Sequence, residues 1–220
     1  MIVVMQCAAR KTLGSGYFHD QAGRRVCFVA QPGRASGEHL IYARPDEPSD
    51  AGPSWRAELL SYNQERPGNP FGLATALELY DRPIYQRLAA RFGRRKIFIL
   101  SAGWGLIEPD FLTPMYNITF DSRADPLARR RKSDSYDDFC MLPEDTKESV
   151  VFLGGADYLP LFARLTKKIN THRAAFYNSP EPPAIPGLEM ARFSASTRFN
   201  WHYECAEALL SGRLKVSTYA

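Results

Sequence analysis

One pattern limits the fold of this chain more than any other: an aliphatic run that ends directly in small residues. Residues 96–100 read KIFIL, and residues 101–106 read SAGWGL. Short apolar runs without polar alternation are typical of central parallel strands, which are covered on both faces. Similar runs occupy Ile2–Cys7 and Ser149–Leu153. We therefore predict that these three segments are adjacent strands of one sheet.

The other segments predict helices on both sides of that sheet. Helical periodicity and capping signals are found at Trp55–Gln64, Leu73–Leu79, Pro83–Phe92, Asp157–Lys168 and Trp201–Leu210. Late strands are predicted at Ala174–Tyr177 and Leu188–Phe193, and an N-terminal hairpin is predicted from Val26–Ala30 and His39–Ala43. Strands that alternate with helices indicate an α/β fold with a mainly parallel central sheet.

Length and composition predict one domain of ordinary core size. The chain has 220 residues, of which 45% are hydrophobic, and its net charge is +4. A charged stretch at about residues 121–147 is predicted to be a surface excursion of that domain, because it separates two core strands. We expect residues 1–220 to form a single domain, and a mild positive charge is compatible with a polyanionic partner.

Cysteine usage and hydropathy predict a cytoplasmic protein without a membrane partner. The four cysteines are scattered and form no CxxC pair, so neither a zinc site nor a disulfide framework is expected. No apolar run is long enough to span a bilayer. The first residues read as a strand and not as a signal peptide. The four histidines are also scattered, and no metal site is predicted.

Residues after the predicted strands are candidates for a ligand pocket, because ligands of open α/β sheets bind beyond the carboxyl ends of the strands. Aromatic faces can stack on a flat ring, and glycines admit a ligand close to the backbone. The candidate substrate-binding residues are Gln6, Cys7, Lys11, Ser101, Gly103, Trp104, Tyr116, Gly154 and Gly155. Ordinary βα turns, with Trp104 and Tyr116 packed against the sheet, are the structural alternative.

Polar residues near the same turns are candidates for catalysis, since an amide or a carboxylate can position a water molecule. These are Asn117, Asp121 and Asp157. Asp157 can equally be a favourable carboxylate in the first turn of a helix.

Basic residues elsewhere predict contacts with the DNA backbone. Arg129, Arg130, Arg131 and Lys132 are consecutive, and Arg198 lies in a hydroxyl-rich segment before the last predicted helix. Each can neutralise a phosphate. Because Asp134, Asp137 and Asp138 lie nearby, a solvated loop without a nucleic-acid role is the alternative.

Several motifs together resemble an uncharacterised bacterial and phage family. They are ALELY at 76–80, ILSAGWGLIEPD at 99–110, PMYNITF at 114–120 and FLGGADYLPLF at 152–162. That family is similar to the YaaA proteins and, more distantly, to uracil-DNA-glycosylase-like and tRNA-guanine transglycosylase-associated domains. The resemblance covers roughly residues 1–20 and 70–170, and more loosely the C-terminus. The family pattern has Tyr-Asp where this chain has Tyr116-Asn117.

The resemblance implies a uracil-DNA-glycosylase-like fold and a DNA N-glycosylase-like enzyme. Such an enzyme flips a base out of the helix and hydrolyses its N-glycosidic bond without a cofactor. The phage-defence DNA glycosylases that remove a modified phage base are a parallel. A non-catalytic DNA-binding stress-response protein of the YaaA type and a nucleotide-processing hydrolase or transferase remain alternatives. The target base and the oligomeric state are left open.

Overall fold

The structure is a computed structural model that describes residues 1–36, 40–65, 68–197 and 199–216. In this part of the chain there are four α-helices: α1 (Trp55–Glu65), α2 (Pro83–Phe92), α3 (Leu159–Leu165) and α4 (Trp201–Leu210). The strands are β1 (Ile2–Gln6), β2 (Phe18–His19), β3 (Arg25–Val29), β4 (Ile41–Ala43), β5 (Ala74–Thr75), β6 (Ile97–Ser101), β7 (Gly105–Ile107), β8 (Leu112–Thr113), β9 (Tyr116–Asn117), β10 (Phe139–Cys140), β11 (Val150–Leu153), β12 (Arg173–Tyr177) and β13 (Glu189–Arg192).

The central sheet is mostly parallel and has the strand order β10-β7-β6-β1-β11-β12-β13 in the described residues. Strand β1 lies between β6 and β11 and is parallel to both, with Val4 opposite Phe98 and Phe152. The predicted adjacency of the three aliphatic runs is therefore confirmed. Strands β6 and β11 and residues 2–5 of β1 are buried, as expected for strands covered on both faces.

The second sheet corrects the predicted N-terminal hairpin. Strands β3 and β4 are parallel, with Cys27 opposite Tyr42, so no tight turn joins them. Strand β9 also pairs with β3 in parallel, and β2 pairs with it in antiparallel fashion. His39, the first residue of the predicted second strand, lies outside the described residues.

The charged segment 121–147 was predicted to be a surface excursion, but parts of it join the central sheet and the core. It returns to the central sheet as β10, which pairs with β7. Tyr136 and Leu142 are buried, and so is the charged residue Arg130. The prediction of a surface excursion is wrong for these residues, because Arg130 pairs with Asp138 of the same segment and Tyr136 and Leu142 join the core.

Membrane insertion through a helix has no support in the described residues. Each helix there is too short or too polar to span a bilayer.

Candidate functional site

A cleft of about 510 Å³ opens at the carboxyl ends of β1 and β11. The chain leaving β1 leads to the β6 side of the sheet, whereas the chain leaving β11 leads to β12 on the other side. Two neighbouring parallel strands whose connections diverge in this way leave a crevice between them, which is the usual ligand position in open α/β sheets. The volume lies within the range of small-molecule sites, about 300–1,000 Å³.

Four separate segments line this cleft, which we call the switch-point cleft. The connection after β1 provides Gln6, Cys7, Ala8 and Ala9, and the connection after β11 provides Gly155, Asp157 and Tyr158. The segment after β9 provides Ile118, Thr119, Asp121, Ser122 and Arg123, and the start of α4 provides Phe199, Asn200, Trp201, His202 and Tyr203. Of the predicted site residues, the structure thus brings together Gln6, Cys7, Asp121, Gly155 and Asp157.

A hydrogen bond joins the two strand ends at the base of the cleft. Oε1 of Gln6 accepts the N–H of Gly155 at 2.7 Å. Gly154 permits this close approach, because a Cβ there would lie 2.2 Å from Cζ of Phe152 and 2.9 Å from Cβ of Gln6. Gln6 lines the cleft, and its Nε2 has no hydrogen-bond partner among the described residues, so this side chain can donate to the edge of a flat heterocycle.

Two carboxylates in the cleft have different surroundings. Both oxygens of Asp121 accept hydrogen bonds from Arg123, whose backbone N–H also binds Oδ1. The Arg123 side chain, followed by its backbone N–H, lowers the pKa of Asp121, so this group is ionised at neutral pH. Asp157 binds Lys132 through Oδ1 at 2.8 Å. Its other oxygen, Oδ2, has no partner among the described residues and can accept a hydrogen bond from a water molecule or a ligand.

Cys7 and Tyr158 form a polar contact in the cleft. The sulfur of Cys7 lies 3.4 Å from the hydroxyl oxygen of Tyr158, and both residues are buried. Burial raises the pKa of Tyr158, and the neighbouring Cys7 raises it further. The Tyr158 hydroxyl consequently remains protonated at neutral pH and can donate a hydrogen bond.

A buried hydrogen-bonded network lies away from the residues that line the cleft. The hydroxyl of Ser101 donates to Tyr116 at 2.9 Å, and the hydroxyls of Tyr116 and Tyr80 are 2.8 Å apart. Nζ of Lys11 lies 4.1 Å from the ring centre of Tyr116. Burial lowers the pKa of Lys11 and raises the pKa of both tyrosines. Ser101, Tyr116 and Lys11 therefore contact one another within the protein and are not among the residues that line the cleft.

The predicted pocket of Trp104, Tyr116 and Asn117 around Gly154 and Gly155 is wrong. Trp104 is fully buried, and its ring packs edge-on against Phe28 at 4.9 Å, so it has no face for a base. Gly103 and Trp104 present their carbonyls to the buried guanidinium of Arg56, at 2.9 and 3.0 Å.

Asn117 is exposed next to the buried Tyr116 on β9 and does not line the cleft. Successive side chains of a strand point to opposite faces. The residue that follows the buried tyrosine is therefore turned away from it, and the predicted role of Asn117 in catalysis has no support from its position.

The predicted DNA-backbone tract divides into one core residue and three surface residues. Arg130 is buried, and its guanidinium binds both oxygens of Asp138, at 2.8 and 2.7 Å, and the Ala102 carbonyl. It cannot contact a phosphate without leaving the core, so that prediction is wrong for Arg130. Arg129 donates to the Ser122 carbonyl, Lys132 pairs with Asp157, and Arg131 is exposed. Arg198 lies outside the described residues.

From the hydroxyl-rich segment before α4, only Arg198 was named as a candidate, but the structure brings Phe199 and His202 to the cleft. Phe199 is 59% exposed at the cleft, with the Arg123 guanidinium 4.4 Å from its ring centre. His202 is 4% exposed, and its Nε2 has no hydrogen-bond partner among the described residues. Burial, together with the charge of Arg82, lowers the pKa of His202 to about 4, so its imidazole is neutral at pH 7. The aromatic run FNWHY at 199–203 is the signal that points to this wall.

In the described part of the chain, no group of three His, Cys, Asp or Glu side chains is arranged to hold a metal ion. No family model matches the chain, and no curated protein or solved structure matches it either. Function must therefore be inferred from the switch-point cleft itself.

Proposed function

We propose that this chain is a DNA N-glycosylase-like enzyme that takes a nucleobase into the switch-point cleft and hydrolyses its bond to the sugar. The observation that carries the proposal is the composition of the cleft. Aromatic side chains, an amide and two carboxylates converge at the carboxyl ends of β1 and β11. Aromatic faces bind bases by stacking, and the Gln6 amide can read a base edge.

The two carboxylates suit two different roles in glycosidic bond cleavage. Oδ2 of Asp157, which has no partner among the described residues, would orient the attacking water and accept its proton. The water oxygen bonds to the anomeric carbon as the carbon–nitrogen bond breaks, and the bonding pair leaves with the base, which gains a proton. Asp121 stays ionised beside Arg123 and would stabilise the positive charge that develops on the sugar. The protonated Tyr158 hydroxyl would donate a hydrogen bond to the departing base.

The test is base release from DNA by single variants. The protein is incubated with unmodified and phage-modified duplex DNA, and abasic sites are measured by alkaline strand cleavage. Asp157→Asn should lower turnover by about 10²-fold or more, because a positioned general base contributes at least that much. Asp145→Asn, at an exposed position outside the cleft, is the matched control and should be as active as the wild type. No abasic sites from any DNA would reject the proposal, and DNA binding without base release would support the non-catalytic alternative.

A second candidate is the processing of free nucleosides or nucleotides. It is favoured by the charges at the cleft, because Arg123 pairs with Asp121 and Lys132 with Asp157. Cations that are already paired attract a long polyanion less strongly than free ones do. Base release from deoxynucleosides and deoxynucleoside monophosphates, measured by chromatography in the same variants, separates the two candidates.

A further inference from the structure

A second cavity adjoins the switch-point cleft and has no role in the function proposed above. It measures about 490 Å³ and is lined by Ala156, Tyr177, Asn178, Ser179, Pro180 and Trp201. Five of its six residues lie at or just beyond the carboxyl ends of β11 and β12, so it lies at the same edge of the sheet as the cleft. Trp201 lines both cavities and is their shared wall.

The shared wall is held in place by the segment before α4. The carboxylate of Glu204 accepts the N–H groups of Ser196 and Thr197 at 2.9 and 3.0 Å, as well as both of their hydroxyls. The Thr197 hydroxyl, followed by the Ser196 N–H, lowers the pKa of Glu204 to about 2. Trp201 itself is 8% exposed and stacks on Phe193. The indole is therefore a fixed partition between two preformed cavities.

The lining of the second cavity suits an uncharged flat group and not a phosphate. None of its six residues carries a charge, and two of them are aromatic. The Asn178 amide donates to the Thr197 carbonyl at 3.3 Å and accepts the Ala195 N–H at 3.4 Å. An amide has two N–H groups and two lone pairs, so one of each remains for a ligand.

We propose that this cavity is a second base-binding subsite, which takes the nucleotide next to the one in the switch-point cleft. Tyr177 stacks on that second base, Trp201 closes the side toward the first cavity, and Asn178 binds the edge of the base. The ligand then spans at least two linked nucleotides. This inference rests on the proposed function, because it assumes that the first cavity takes a nucleobase.

The test measures affinity against ligand length, without reference to turnover. Mixed-sequence single-stranded DNA of one, two and four nucleotides is titrated into the full chain by calorimetry. Stacking contributes roughly 1–3 kcal/mol per base, so the step from one to two nucleotides should tighten binding at least about fivefold. Tyr177→Ala should remove most of this gain and leave mononucleotide affinity unchanged. Tyr42→Ala, which truncates a similarly half-buried tyrosine on β4 in the other sheet, is the matched control and should keep the full gain.

The outcomes separate the two proposals. Mononucleotide binding without a gain at two nucleotides overturns the second subsite and leaves the proposed function intact. A gain that survives in Tyr177→Ala also overturns it, because the extra nucleotide is then bound elsewhere. Absence of binding at every length rejects the nucleobase-binding cleft and the second subsite together.

Discussion

Arg130 is buried and its sequence neighbour Arg131 is exposed. Substitutions at these two positions therefore compare how much a buried and an exposed arginine contribute to stability. The Arg130 side chain is 2% exposed and binds the fully buried carboxylate of Asp138, whereas Arg131 is exposed. Removal of one partner from a buried ion pair costs about 3–5 kcal/mol because a charge is left uncompensated. Arg164 also pairs with Asp138 and remains after the substitution, which favours the lower end of this range.

Arg130→Met should therefore lower the free energy of unfolding by about 3 kcal/mol, measured by urea denaturation. Arg131→Met should change it by less than about 0.5 kcal/mol, as is usual for surface positions. Equal effects of the two substitutions would show that the Arg130–Asp138 pair does not stabilise the fold.

His202 should make the stability of the fold depend on pH. Its pKa is about 4 in the folded chain and 6.5 in a model compound, so the unfolded chain takes up the proton first as the pH falls. The contribution of the neutral imidazole is complete above pH 6.5 and is lost progressively as the pH falls toward 4.

His202→Phe removes this titration and also an unpartnered buried nitrogen. Between about pH 7.5 and about pH 4.5, the wild type should lose roughly 2 to 3 kcal/mol more of its free energy of unfolding than this variant does. Chemical denaturation at a series of pH values measures the difference. Parallel pH profiles for the two proteins would mean that His202 is not held neutral in the fold.

At the scale of elements, the turn between β11 and α3 determines how closely the two strand ends approach each other. An alanine Cβ at Gly154 would lie 2.2 Å from the Phe152 ring and 2.9 Å from Gln6, both of which are fixed by their own packing. Gly154→Ala should cost about 1–3 kcal/mol of stability through overpacking, and it should weaken ligand binding because Gln6 is displaced.

Gly33→Ala is the matched control for this substitution, because a Cβ at Gly33 meets no atom within 4 Å. It should leave both thermal stability and binding within error of the wild type. If Gly154→Ala behaves like Gly33→Ala, the close approach of β1 and β11 is not required for the site.

The long strands and helices were predictable from the sequence, and the short strands were not. α2 and α4 have the predicted boundaries, and β1, β6 and β11 lie within one or two residues of theirs. Strands β2, β5, β8, β9 and β10 have two residues each, which is too short for any periodicity to be detected. Leu73–Leu79 was predicted as a helix from its apolar residues, but it begins with β5, which pairs with β8 instead. The pattern of two strand-like runs does not reveal whether they pair in parallel or antiparallel fashion, because the parallel pairing of β3 and β4 depends on tertiary contacts.

At the scale of the whole molecule, the candidate site was predictable only where it follows from sheet topology. Gln6, Cys7 and Gly155 lie at or just beyond the ends of adjacent parallel strands, where ligands of open α/β sheets bind. Trp104 and Tyr116 lie near the same edge of the sheet, but both are buried. Their large rings stabilise the fold more in the core than they would at the surface. The wall made by α4 comes from the far end of the chain, and no local pattern places it beside β1.

The surface charge predicts how strongly this molecule should respond to salt if it binds DNA. Each phosphate contact adds about 0.9 to the slope of log affinity against log salt. Among the three surface members of the basic tract, Lys132 pairs with Asp157 and Arg129 donates to the Ser122 carbonyl. The Arg131 side chain has no ion-pair partner among the described residues, so it is the cation most available to a phosphate.

We therefore expect the combined change of Arg129, Arg131 and Lys132 to alanine to flatten the salt slope by about 0.9, and Arg131→Ala alone to flatten it nearly as much. Fluorescence anisotropy with a labelled duplex at several sodium chloride concentrations measures both slopes. Arg130 stays unchanged in these variants, because its loss would destabilise the fold and obscure the comparison. A loss near 2.7 in the triple variant would show that the two engaged side chains release their partners for DNA, because three contacts then disappear. An unchanged slope in both variants would remove this tract from the DNA-binding surface and favour a small nucleotide as the ligand.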